Sequence, residues 1–259
     1  MAFGLPLDQL YGLISHYFFI LARVAALLHV APIFGEKAVS RRLRAGLALM
    51  IALLMGDSTP DAQIGLYSWT GLWVVAKQVV IGAAMGLTLQ FIFAAVRLAG
   101  EIIGMQMGLS FATFFDPGSG NSPVISRFLN LLVTLLFLTF NGHLWLLSVL
   151  ADTFQALPVN AAPLHAGGFL AVFSHAGLIF SQGLMLGLPI IALLLCINFT
   201  LGLLNRLTPQ LSIFVVGFPL TLSVGMVALF LIAQTLAPFF ERLMATGFDA
   251  ISALVMAFL

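Results

Sequence analysis

RLAGEIIGMQMGLSFATFFDPGSGNSP, residues 97–123, joins two long apolar runs and changes character twice along its length. Gly100, Gly104 and Gly108 recur every four residues, so on an α-helix they share one smooth face. Met105, Met107, Phe111, Phe114 and Phe115 add apolar bulk, and Asp116-Pro117-Gly118-Ser119-Gly120 then breaks any regular element. A close-packing face, then bulk, then a turn-rich break predicts a packed helix leading into an element that controls a passage.

The flanking runs set the class. Of 259 residues, 61% are hydrophobic and 7% charged, against about 25% charged in an average soluble domain. Too little polar surface remains to cover a soluble globule, so the chain reads as an all-α integral membrane protein. Apolar runs cover residues 10–34, 43–55, 69–99, 124–151, 169–204 and 211–240, with a tail at 251–259 too short to span. The second run is short for a span and the third and fifth are overlong. The formal charge of +1 carries no nucleic-acid signature. The first basic residue is Arg23, inside the first run, so no cleavable signal peptide is evident.

Charge placement predicts a topology. Arg41, Arg42, Arg44, Arg97, Arg127 and Arg206 occupy one set of connections, and Asp57, Asp61 and Asp152 the alternate set. Six spans, with the arginine loops cytoplasmic and both termini outside, satisfy the positive-inside rule. The last two runs form a hairpin with the tip LLNRLTPQL. Each arm carries an expected break, at Pro189 and at Pro219, which predicts a bent pair.

No HExxH, GxSxG or Walker motif occurs, and no cofactor or metal motif, so no enzyme is expected. Cys196, the one cysteine, sits in an apolar run and reads as an inert buried thiol. Arg23 and Lys77 are ionisable residues inside apolar runs, which are costly and functional by default. Arg23 needs a partner chain, a water-filled lumen or helix-end carbonyls; Lys77 lies near the start of its run and can snorkel outward. Small-residue pairs recur at Gly82/Gly86, Gly100/Gly104/Gly108 and Gly183/Gly187. They favour close helix packing, within the chain or between chains.

The segments AGEIIGMQMGLSFATFFDPGSG, RFLNLLVTLLFLTFNGHLWLLSVLADTF and LLNRLTPQLSIFVVGFPLTL resemble the FliR family of flagellar and virulence type III export-apparatus proteins, the flagellar branch more closely. The similarity runs over nearly the whole chain. It implies a FliP-like helical part over residues 1–168 and a FliQ-like bent hairpin with a C-terminal tail over 169–259. It implies a single-copy subunit that forms a pore with FliP and FliQ homologues, contacts an FlhB homologue and membrane lipid, and passes unfolded export substrates transiently. The complex would belong to the flagellar basal body in the bacterial inner membrane and project to the periplasmic side. A loop near residues 108–123 would plug the pore, with Ser110, Phe111, Phe114, Phe115, Asp116 and Pro117 in the seal and Gly118 and Gly120 as hinge. The reading from another class is a secondary transporter for a small solute, which matched prolines in broken helices would suit.

Overall fold

Where apolar runs are long and uninterrupted by turn residues, the backbone must satisfy its own polar groups, and helix is the solution. The computed structural model describes residues 7–36, 38–57, 59, 64–109, 123–208 and 213–259, and these residues contain helices and no strand. The helices are α1 (Leu7–Val30), α2 (Arg41–Gly56), α3 (Trp69–Gln106), α4 (Val124–Thr139), α5 (Gly142–Ala156), α6 (Ala166–Leu207) and α7 (Ile213–Phe258). At 1.5 Å per residue, the 38, 42 and 46 residues of α3, α6 and α7 give lengths of about 57–69 Å. That is about twice the hydrocarbon thickness of a bilayer.

The six-span expectation is corrected. Among the described residues, four helices are long and apolar enough to cross a membrane: Leu10–Val30, Trp69–Gln106, Ala166–Leu207 and Val216–Phe258. The α4–α5 pair makes a fifth if it is one broken span. The second run is only the 16-residue α2. The fourth is cut at Asn141, which takes the left-handed conformation at φ 55° between α4 and α5; Asn is among the few residues that tolerate it. The tail at 251–259 is no separate element but the end of α7.

The prolines at the expected bends do not end their helices. Pro189 lies inside α6, and Pro219 and Pro238 lie inside α7, without ending either helix. Each proline forfeits one backbone hydrogen bond, while the many turns on both sides keep theirs. The hydroxyls of Thr221 and Ser223 fold back onto the carbonyls of Gly217 (3.1 Å) and Pro219 (2.7 Å), so they too are satisfied within the helix.

Two compact units share these helices. The first comprises Met1–Gln90, Asn141–Ala176 and Thr246–Leu259, the second Phe91–Phe140 and Gly177–Ala245. Helices α3, α6 and α7 each contribute to both, so the units are discontinuous in sequence. In the first unit α1 and α2 form an antiparallel hairpin. His16 Nε2 meets Gly56 O (3.2 Å) at one end, and Arg44 meets His29 (3.0 Å) at the other. Its buried side chains include Phe19, Leu27 and Leu28 of α1, Ile81, Met85 and Leu89 of α3, and Leu150 and Phe154 of α5. In the second unit Phe93 sits edge-on to Phe137 (5.7 Å) and to Phe240 (6.0 Å), tying α3, α4 and α7 together.

Candidate functional site

Residues 110–122 lie outside the described residues, and with them Ser110, Phe111, Phe114, Phe115, Asp116, Pro117, Gly118 and Gly120. The two ends of that segment are described, and both belong to the second unit. A helix end leaves four carbonyls without intrahelical donors, so the end of α3 can be accounted for group by group. Leu109 N–H donates to Gly104 O and Gly108 N–H to Met105 O, each at 3.0 Å. With Gly108 at φ +81°, this pair is a Schellman cap with glycine at C′. Gln106 O accepts from Asn198 Nδ2 on α6 at 3.2 Å, and the same amide reaches Gln106 Oε1 at 3.3 Å. Thr221 Oγ1 lies 3.4 Å from Met107 O, but its single proton is closer to carbonyls of its own helix. Gly225 of α7 leaves room for the Met107 side chain, whose Cγ is 2.6 Å from where a Cβ would stand.

Gly108 therefore does not continue the glycine face. It stands beyond the last residue of α3, in a conformation that stops the helix, because a Cβ at positive φ is strained. Gly100 and Gly104 remain on α3 and face the start of α4. A Cβ on Gly100 would stand 2.5 Å from Ser126 Cα, and one on Gly104 3.5 Å from Pro123 Cβ. Ser126 Oγ also donates to Arg97 O at 3.0 Å. The chain thus leaves at Leu109 and returns at Pro123 against the same turn of α3. On α6, Gly183 and Gly187 face Ala95 and Ala99 of α3, with a Gly183 Cβ falling 2.7 Å from Ala95 O. Gly82 and Gly86 face α1, against the carbonyls of Arg23 and Leu27. All of these close approaches lie within the chain.

The buried cations belong to the first unit. Arg23 is fully buried in the second half of α1. Its Nε donates to Gln78 Oε1 (2.7 Å), Nη1 to Thr153 O (2.9 Å) and Oγ1 (3.1 Å), and Nη2 to Leu157 O (2.7 Å). The Phe154 ring centroid is 4.1 Å from its Cζ, within cation–π range. Of the three solutions open for Arg23, helix-end carbonyls are the one observed. Thr153 and Leu157 belong to the last turn and cap of α5, where the helix dipole is negative.

Lys77 does not snorkel outward. It is 4% exposed, and Nζ donates to Asn160 Oδ1 (2.7 Å) and Ala162 O (3.0 Å) in the connection after α5. The acceptors come to the ammonium, which removes any reason for it to reach for the surface. These partners are all neutral, so the compensation is dipolar. Gln78, Thr153, Asn160, Asn198 and Thr221 carry no signal in the sequence beyond being polar residues among apolar ones. Cys196 is exposed on α6 rather than buried.

Long apolar helices with ionisable groups sealed against backbone carbonyls define a helical membrane protein. The chain belongs to the family of bacterial export proteins, family 1, which it matches over residues 14–247. It is 50% identical to the flagellar biosynthetic protein FliR of Escherichia coli (strain K12) over 249 residues, 96% of this chain and 95% of that protein. Against FliR of Pectobacterium carotovorum subsp. carotovorum it is 50% identical over 240 residues, 92% of each chain. FliR of Aquifex aeolicus (strain VF5) is 30% identical over 213 residues, 81% of each. The chain is a component of the flagellar export apparatus.

Proposed function

We propose that this chain is the single-copy FliR-type subunit of the flagellar export gate, forming with FliP and FliQ homologues a helical pore for unfolded substrates. The observation that carries the assembly is the surface of α6 and α7. Phe173, Phe199 and Phe230 are each at least 70% exposed, and only 22% of the most apolar window of either helix is buried within the chain. Apolar faces of that extent on a single chain call for lipid or partner helices. Residues 169–259 then act as the FliQ-like pair and 1–168 as the FliP-like part. An FlhB homologue contacts the cytoplasmic side of the complex, which sits in the inner membrane and projects to the periplasmic side.

In this reading the loop near residues 108–123 plugs the pore, with Phe111, Phe114 and Phe115 as the apolar seal and Gly118 and Gly120 as hinge. The root supports it: Leu109 and Pro123 leave from the same capped turn of α3, so the intervening segment is tethered at one place. Deleting residues 110–121 should raise the ion conductance of the assembled pore. Unchanged conductance overturns the plug. Purification in mild detergent should recover FliP and FliQ homologues in excess over this chain; recovery as a homo-oligomer would favour a transporter.

A further inference from the structure

We propose that the turn between α1 and α2 holds a seat for an anionic phospholipid, with the phosphate between Arg41 and Arg44 and an acyl chain laid along α2. A cavity of about 340 Å³ opens there, lined by Ala25, His29, Arg41, Arg44, Ala45 and Ala48. Among the described residues, no acid pairs with the arginines that line it. No hydrogen bond or ion pair ties the exposed Arg41 guanidinium to another of the described residues. Arg44 donates to His29 Nδ1 (3.0 Å) and to the carbonyls of Glu36 (3.1 Å) and Val39 (3.3 Å), all neutral acceptors. Arginine has no acceptor of its own, so Nδ1 of His29 accepts and Nε2–H remains as a further donor at the cavity wall. The first turn of α2 contains no acid.

The other half of the cavity is apolar. Ala25, Ala45 and Ala48 are small enough to leave a slot. Ala45 is followed one and two turns on by Leu49 and Leu53, both about half exposed, so an apolar track runs along α2 away from the arginines. The cavity also adjoins the end of the apolar helix Leu10–Val30, long enough to cross a membrane. Basic pockets beside membrane helices select phosphate headgroups. Inorganic phosphate shares the headgroup chemistry but has no use for the apolar track, and that favours the lipid.

The test uses the full-length chain with its co-purifying subunits in mild detergent. Retained phosphatidylglycerol and phosphatidylcholine are counted by native mass spectrometry, with inorganic phosphate as a competitor in a separate arm. Wild type should retain phosphatidylglycerol in preference. Arg41→Gln should weaken that retention about fivefold, and Ala45→Leu, which fills the slot without changing charge, should also lower it. Arg42→Gln removes the same charge from a residue that does not line the cavity and should leave retention near wild type. Equal losses in Arg41→Gln and Arg42→Gln would reduce the seat to diffuse surface charge and overturn the proposal. So would the absence of any preference in wild type, or displacement of the lipid by inorganic phosphate. Arg44 is left intact because it also holds the turn; circular dichroism and an unchanged melting profile confirm folding of the variants.

Discussion

Arg23→Met is the perturbation that tests most directly how the first unit is held. Methionine keeps much of the packing volume and removes the charge and every donor. The wild-type guanidinium serves acceptors on two elements: Gln78 on α3, and Thr153 and the cap residue Leu157 at the end of α5. Hydrogen bonds to a charged group contribute about 1.5–3 kcal/mol each, and removing one partner of a buried charged cluster destabilises by about 3–5 kcal/mol. The terminal carbonyls keep part of their satisfaction, since Leu157 N–H still donates to Thr153 O at 2.8 Å. We therefore expect a loss of about 3–4 kcal/mol within that range. Gln78→Leu removes one acceptor and should cost about 1.5–3 kcal/mol. The double variant should be no worse than Arg23→Met alone, because the glutamine has then lost its reason to be polar. The three tryptophans, Trp69, Trp73 and Trp145, all lie in the first unit. Their fluorescence during denaturant titration in mild detergent reads this unit directly. Wild-type stability in Arg23→Met, or additive losses in the double variant, would refute the idea that one interlocked cluster joins α1, α3 and α5.

Gly82→Ala would drive a Cβ into the Arg23 carbonyl, backbone that cannot step aside; a loss of about 1–3 kcal/mol is expected by the same fluorescence titration. Gly12→Ala is its control: nothing stands within 4 Å, so it should be neutral or gain about 0.5–1 kcal/mol of helix propensity. Gly108→Ala places a Cβ at φ +81°, a strain of about 1–2 kcal/mol, and should speed amide exchange at Leu109. Asn198→Leu removes the donor from Gln106 O; interhelical polar links of this kind contribute about 0.6–1.7 kcal/mol. It should lower thermal stability slightly and raise protease sensitivity near residue 107. Unchanged exchange or cleavage would mean that the end of α3 is held by its own cap alone.

Much of the helical layout is legible residue by residue. The runs starting at 69 and 169 announce overlong helices by their length alone, since a span needs only about 20 residues. Gly82, Gly86, Gly183 and Gly187 can be read as close-contact positions because only a missing Cβ lets backbones approach so nearly. Where the reading fails, local rules met two possible outcomes. Proline at 189 and 219 predicts a break, yet a long helix absorbs one lost bond. A four-residue glycine spacing predicts that Gly108 continues a stripe, yet the same glycine is also the best C′ residue, and the chain uses it as a stop. Asn141 is the reverse: an Asn-Gly step that turns one apolar run into two helices.

The sequence by itself determined that this is an all-α membrane protein, which positions are small enough for close contact, and which charges must find compensation. Those properties follow from composition and period, which act over a few turns. Only the tertiary structure decided what compensates Arg23 and Lys77 and how α3 ends. Their partners lie 55 to 134 residues away along the chain, or 92 residues away for Gln106. A hydrogen bond depends on ångström placement of backbone carbonyls, and those positions exist only once the helices have packed.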